Sequence, residues 1–330
     1  MLKTAITEMF GIKYPIICGG MMWLSKPNLC AAISNAGGMG NITAGNYDTE
    51  AEFRNAIEET RRLTDKPFMV NITLLPSVHI TTEHHKMYVN VCAEEKIAGI
   101  EFSGTPIDKA LGMETIETLH KAGVKLFHKV GALRHALHAE RVGYDGMYAA
   151  GIEEGGHPFD DDVSTMVLTS KMAASLNIPV VTVGGIADGR TLAAALVLGA
   201  EGVMMASRFV ATKECEVHDN IKQELIKRQE FETTIFGKSI GLQGRALKNK
   251  VIDEVHVIEE RGGGLEELIP LISGEKIKEA WKNGNVDYAP LMVGQSIGLI
   301  KDIPTCKELL DRMATEAAEC LAKTNKMVQA

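Results

Sequence analysis

VTVGGIADGRTLAAALVLGAEGVMMASR, Val181 to Arg208, is one complete strand–helix–strand unit. The apolar run that leads into it, Pro179 to Val183, is rich in β-branched residues and stops at Gly184-Gly185. An Asp188-Gly189 turn opens a segment with helical spacing, Arg190 to Leu198, and a second apolar run, Gly202 to Met205, ends at Ala206-Ser207-Arg208. Short apolar runs without polar alternation read as strands buried on both faces, and a helix between two of them makes the pair parallel. The loops after such strands lie together at one end of the sheet, where α/β folds bind their ligands.

The same unit recurs along the chain. Further candidate strands are Pro15 to Gly19, Met39 to Thr43, Phe68 to Thr73, Gly99 to Ser103, Val124 to Lys129 and Gly146 to Ala150. Helical patterns fall between them over Pro27–Asn35, Glu50–Leu63, Thr81–Glu95, Glu114–Ala122, Leu133–Val142 and Val163–Leu176, and Cys306–Lys326 supplies the last helix. Eight strands and eight helices predict an α/β fold, a (β/α)8 TIM barrel. The doubly wound open sheet uses the same alternation, but no early GxGxxG follows a strand. From Phe209 to about Pro304 the alternation breaks into charged helical stretches, Val217–Phe231 and Ile277–Asn283, with a turn at Gly262-Gly263-Gly264. The predicted organisation is therefore a barrel over 1–210 and 305–330, with a smaller, mainly helical insertion over 211–304 between strand eight and helix eight, capping the barrel mouth.

Composition narrows the function. A net charge of -8 and the lack of any basic run argue against a nucleic-acid binder. No apolar stretch reaches the length of a membrane span, and MLKTAITEMFGIKYP has no secretory pattern. Six cysteines without CxxC spacing fit reduced thiols rather than disulfides or zinc, so the expected location is the cytoplasm.

The chemistry concentrates at the strand ends. Gly184-Gly185 and Ala206-Ser207, on consecutive strands, predict a phosphate site built from backbone N–H groups and a helix N-terminus. Gly19-Gly20-Met21-Met22-Trp23 leaves room for a flat ring after strand one, or is a turn with a core aromatic. Asn71 and Thr73 end strand three, and His128 and Lys129 end strand five. A lysine buried there needs an anion, either the electron-rich edge of a cofactor or a loop carboxylate. His157, between Gly156 and Pro158 after strand six, is a candidate general acid or base, or else a surface histidine like others in the chain. The acidic run Asp160-Asp161-Asp162 precedes a helix and reads as its cap rather than a metal site. LLPSVHITTEHH, from Leu74, is a candidate lid over the mouth.

These stretches resemble the nitronate monooxygenase (2-nitropropane dioxygenase) family of FMN-dependent barrels. The likeness runs from PIICGGMMW to MVGQSIGLI, and VKLFHKVGALRHALHAERVGYD, GGHPFDDD and SRFVATKECEVH resemble its NAD(P)H:quinone reductase branch most. The resemblance implies non-covalent FMN with Gly20, Met21, Met22, Thr73, Lys129, Gly155, Gly156, Val183, Gly184, Gly185, Ala206 and Ser207 as its neighbours. It also implies His157 as the active-site histidine, Lys129 beside the flavin, and NAD(P)H as co-substrate, with a quinone or an alkyl nitronate as partner and a homodimer among the assemblies allowed. Flavin-type enoyl-thioester reductases form a third branch. One departure is local: where the family pattern reads EGxEAGGH, this chain reads AGIEEGGH, with Ala150 in place of the acid.

Overall fold

The computed structural model describes residues 2–75 and 79–328. Eight parallel strands are present: β1 Ile16–Cys18, β2 Gly40–Thr43, β3 Phe68–Leu74, β4 Gly99–Gly104, β5 Lys125–Val130, β6 Gly146–Ala150, β7 Val180–Val183 and β8 Gly202–Met205. Their order is β1-β8-β7-β6-β5-β4-β3-β2. The ends of that series meet at Met39, whose N–H donates to Ile16 O at 2.9 Å and whose O accepts from Cys18 N at 2.9 Å. The sheet thus closes into a (β/α)8 barrel, with helices on its outer face.

Strand side chains alternate between the barrel interior and the helix layer, and this sorts the interior into two levels. At the base, Ile17, Met39, Met69, Phe127, Tyr148, Val181 and Met204 form one apolar cluster. A helix absent from the sequence-based expectation, Ala5–Phe10, closes it from below with Ile6 and Phe10. That helix is only six residues long and is fixed by a Thr4/Thr7 capping box. Two positions further along β2, β3 and β5 the interior turns polar at Asn41, Asn71 and Lys129, and β4 adds Glu101.

The segment 211–304 contains the helices Asp219–Leu225, Lys250–Glu260, Leu265–Ile272 and Gly274–Asn283. The helix expected over Val217–Phe231 ends at Leu225. The segment also holds an antiparallel hairpin, β9 Thr233–Phe236 and β10 Gly244–Leu247, where only helix was expected. Its apolar face is continuous with the barrel: Val203, Met205 and Phe209 share a core with Trp281, Leu291 and Val293 and with Leu309, Leu310 and Met313 of the last helix, Cys306–Val328. We infer that 211–304 is a cap folded onto the barrel of 1–210 and 305–330 through one core.

Candidate active site

The polar upper level forms the floor of a cleft at the C-terminal mouth. Its walls come from Gly19 and Gly20 after β1, Glu153 to Gly155 after β6, Gly184 and Gly185 after β7, and Ala206 and Ser207 after β8, with Gly294 and Ser296 of the cap also lining it. Two of the lining glycines show why a side chain is left out at their positions. A Cβ on Gly20 would lie 2.2 Å from Asn71 Cγ, so the backbone can lie against Asn71 only as glycine. Gly185 has φ +74 and its nearest neighbour would be 3.9 Å away, so its open side is a cradle that a Cβ would begin to fill.

The helix Gly189–Val197 has a start that serves structure. Asp188 caps it at Thr191 N (2.8 Å), and its first N–H, on Gly189, donates to Glu316 Oε2 at 3.0 Å. The expected anion site therefore narrows to the Gly184-Gly185 turn and the backbone at Ala206-Ser207. The Ser207 hydroxyl accepts from Gly294 N at 2.9 Å and ties the cap to the loop after β8.

Three ionisable groups lie at or beside the floor. Lys129 Nζ meets both oxygens of Glu154, at 3.0 and 3.2 Å, so the loop-carboxylate alternative is the contact seen. Glu154 stands at the alanine of the pattern EGxEAGGH, so the acid missing at Ala150 is offset by one four residues later. Glu101, in the middle of β4, accepts from Gly20 N (3.0 Å) and Asn41 Nδ2 (2.5 Å), both on Oε2. Both carboxylates are at most 5% exposed. Burial pushes the Glu101 carboxyl up to about 7 against the pull of Lys129, and it raises Glu154 as well.

His157 lies on the loop after β6, clamped by the cap's hairpin. Gly156 and Arg245 exchange backbone hydrogen bonds of 3.2 and 2.7 Å. The Gln243 amide donates to Pro158 O (2.7 Å), and Arg245 Nε donates to Ile152 O (3.0 Å). The imidazole is packed about by protein atoms yet keeps a solvent-facing edge. Its Nδ1 is 2.9 Å from Gln243 O. A carbonyl only accepts, so Nδ1 carries the hydrogen and Nε2 is the free basic nitrogen. Desolvation, helped by the charge of Lys129, lowers its pKa below the usual histidine value and favours the neutral ring. Arg245→Met is expected to cost about 2–3 kcal/mol of unfolding free energy, because it deletes charge-assisted bonds to Ile152 O and to Thr233 Oγ1. A denaturant midpoint unchanged from wild type would contradict the clamp.

Of the residues expected around the cofactor, Gly20, Lys129, Gly155, Val183, Gly184, Gly185, Ala206 and Ser207 line this cleft. Met21 packs against the core, Met22 is exposed, and Thr73, exposed near the end of β3, donates to Asn71 Oδ1 at 3.3 Å; these three, with Gly156 and His157, are not among the residues that line the cleft. His128, one residue before Lys129, points the other way, with Nδ1 3.2 Å from Phe102 O and its ring 5.3 Å from Tyr144. The acidic run is not a helix cap: the helix Thr165–Ala173 is capped by Ser164, and Glu153 accepts from Thr165 N. Asp161 and Asp162 pair instead with Arg134 and Lys238. Pro76 to Val78 of the candidate lid lie outside the described residues. Glu101, Asn41 and Glu154 were not among the expected site residues.

The nitronate monooxygenase family model matches residues 3–316. The (3aS,4S,5R,7aS)-5-hydroxy-7a-methyl-1-oxo-octahydro-1H-indene-4-carboxyl-CoA dehydrogenase of Rhodococcus jostii is 32% identical, over 96% of this chain and 96% of its own. The nitronate monooxygenase of Paraburkholderia phytofirmans is 28% identical, over 97% and 96%. Among solved structures, FabK from Thermotoga maritima superposes with a TM-score of 0.88 at 35% identity, covering 99% of this chain and 100% of that one.

Proposed function

This chain belongs to the nitronate monooxygenase family and is an oxidoreductase, and we propose that it is an FMN-dependent enzyme passing two electrons from NAD(P)H to a conjugated carbonyl acceptor. The observation that carries the reading is the cleft itself: a wall of glycine and small residues at Gly184-Gly185 and Ala206-Ser207 and a lysine at its floor, with a neutral-leaning histidine two residues after Gly155 of its lining. Gly184, Gly185, Ala206 and Ser207 would hold the phosphate. Gly20, Met21, Met22, Thr73, Gly155, Gly156 and Val183 would surround the remainder, with Lys129 as the cation for an electron-rich edge. When bound, the flavin supplies reversible two-electron chemistry. His157 contributes Nε2, which takes a proton from substrate in the oxidising direction and returns it in the reducing one.

Quinones and enoyl thioesters both present a conjugated carbonyl. The quinone-reductase resemblance of GGHPFDDD supports the first. The second is supported by GGIADG, which resembles the flavin-type enoyl-thioester reductases, and by the relative at 32% identity over nearly the whole chain, a carboxyl-CoA dehydrogenase. We take the enoyl thioester as the first acceptor to test. The flavin-loaded protein is titrated anaerobically with NADH and NADPH, then offered an enoyl-CoA or a quinone. Bleaching by a nicotinamide and recovery with the enoyl-CoA is the expected result. Recovery only with the quinone would move the assignment to the quinone reductase, and bleaching only by a nitronate would overturn both in favour of nitronate oxidation.

The cradle has its own test. Gly185→Asn accepts the left-handed backbone and places a side chain in the open space. We expect flavin occupancy of the purified protein to fall at least tenfold, with the circular dichroism of the barrel unchanged. Full occupancy would show that the phosphate is held elsewhere.

A further inference from the structure

The floor of the cleft contains more acid than its cation can match. Lys129 is engaged by both oxygens of Glu154. Glu101, 3% exposed, is held by two neutral donors, Gly20 N–H and the Asn41 amide. Both donors use Oε2, which leaves Oε1 as the oxygen able to carry a proton. Asn41 Oδ1 is itself buried without a hydrogen-bond partner among the described residues, so it adds an acceptor beside Glu101. The other ionisable groups acting on Glu101 are Lys129 on β5, Glu154 after β6, Tyr148 on β6 and Cys18 on β1. Tyr148 and Cys18 are held neutral by burial, so Lys129 is the one cation in that set.

An ionised carboxylate in such a place is costly without a cation of its own. We propose that Glu101 is the proton store of this site: it takes one proton from solvent when the cleft gains negative charge and releases it when that charge leaves. The store deepens the flavin reading and rests on it. NAD(P)H delivers two electrons and one proton together as hydride, leaving the site one charge more negative; a second proton, from solvent, then goes to the Glu101 carboxylate. Lys129 stays paired with Glu154 throughout, so the offset comes from a proton rather than from a moving ion pair. Burial among these protein groups pushes the carboxyl up to about 7, and added negative charge moves it further upward. Coupling therefore begins at about pH 7 and extends above it; well below pH 7 Glu101 is protonated in both states and contributes nothing.

The test is the midpoint potential of the protein-bound flavin as a function of pH, in wild type and in Glu101→Gln. Above pH 7 the wild-type slope is expected to be steeper by one proton per two electrons, and the excess is expected to vanish in the variant. Parallel slopes would overturn the proposal while leaving the flavin reading intact; a protein that binds no flavin would overturn both. Wild-type protein gives a second reading that needs no variant. The infrared difference spectrum at pH 8, reduced minus oxidised, is expected to gain the carbonyl band of a buried carboxylic acid. A spectrum without that band would also overturn the assignment.

Discussion

His157→Ala is expected to lower turnover by 10²–10⁴-fold while leaving the flavin in place, the range in which one positioned proton-transfer group acts. The residue does not line the cleft, so its removal deletes Nε2 but none of the walls that would hold the cofactor. Stopped-flow measurement separates the halves of the reaction. Flavin reduction by NAD(P)H should change little, and oxidation by the carbonyl acceptor should carry the loss. Retention of flavin with unchanged rates in both halves would remove His157 from the chemistry; loss of flavin would make it structural. The pH profile adds a sign. A lowered pKa keeps the ring neutral as pH falls past the usual histidine value of 6.5, so abstraction from substrate in the oxidising direction should decline only at lower pH. Donation to the acceptor, which needs the protonated ring, should already fade as pH rises towards 6.5.

The barrel was legible because its strands are largely buried on both faces and most of them run into a glycine or small residue. Val180–Val183 and Gly202–Met205 are almost pure apolar sequence, as strands covered on both faces are. What escaped was information carried by parity. Counting by two from Phe127 separates Lys129, inside the barrel, from His128, which faces the helices. The same count along GIEFSG puts Glu101 inside, a carboxylate in the middle of a strand rather than at its end. The hairpin was also readable: TTIFGKSIGLQGRAL has two short runs separated by Gly237 and Gly241, both at positive φ. Surrounding charged helices hid it, and with it the clamp on His157. The acidic run misled because a local rule for helix starts met a tertiary override, in which Glu153 reaches the helix start while Asp161 and Asp162 bind Arg134 and Lys238.

Lys129→Met should destabilise the fold by about 3–5 kcal/mol at pH 8, the cost of leaving a buried carboxylate without its partner. The methionine fills much of the space of the lysine stem, so little of the loss is cavity. Glu154 loses the ammonium at 3.0 Å, and Glu101 loses the cation that opposes its desolvation. The dependence on pH follows from the sign of those shifts. Both carboxyls already stand above their ordinary 4.5 in the folded protein, and without Lys129 they rise further. A carboxyl raised by folding adds stability when protonated and gives it up as pH climbs through its folded value. The deficit of the variant should therefore be small near pH 4.5 and grow through pH 7 to pH 8. Denaturant midpoints across that range test it, and a deficit independent of pH would show that lost packing, not charge, was responsible. The double variant Lys129→Met/Glu154→Gln separates the two carboxylates. Recovery of most of the loss would assign the cost to the 129–154 pair, as the bidentate contact implies. If the deficit persists and still grows with pH, it resides in Glu101, and the proton store and the salt bridge draw on the same lysine.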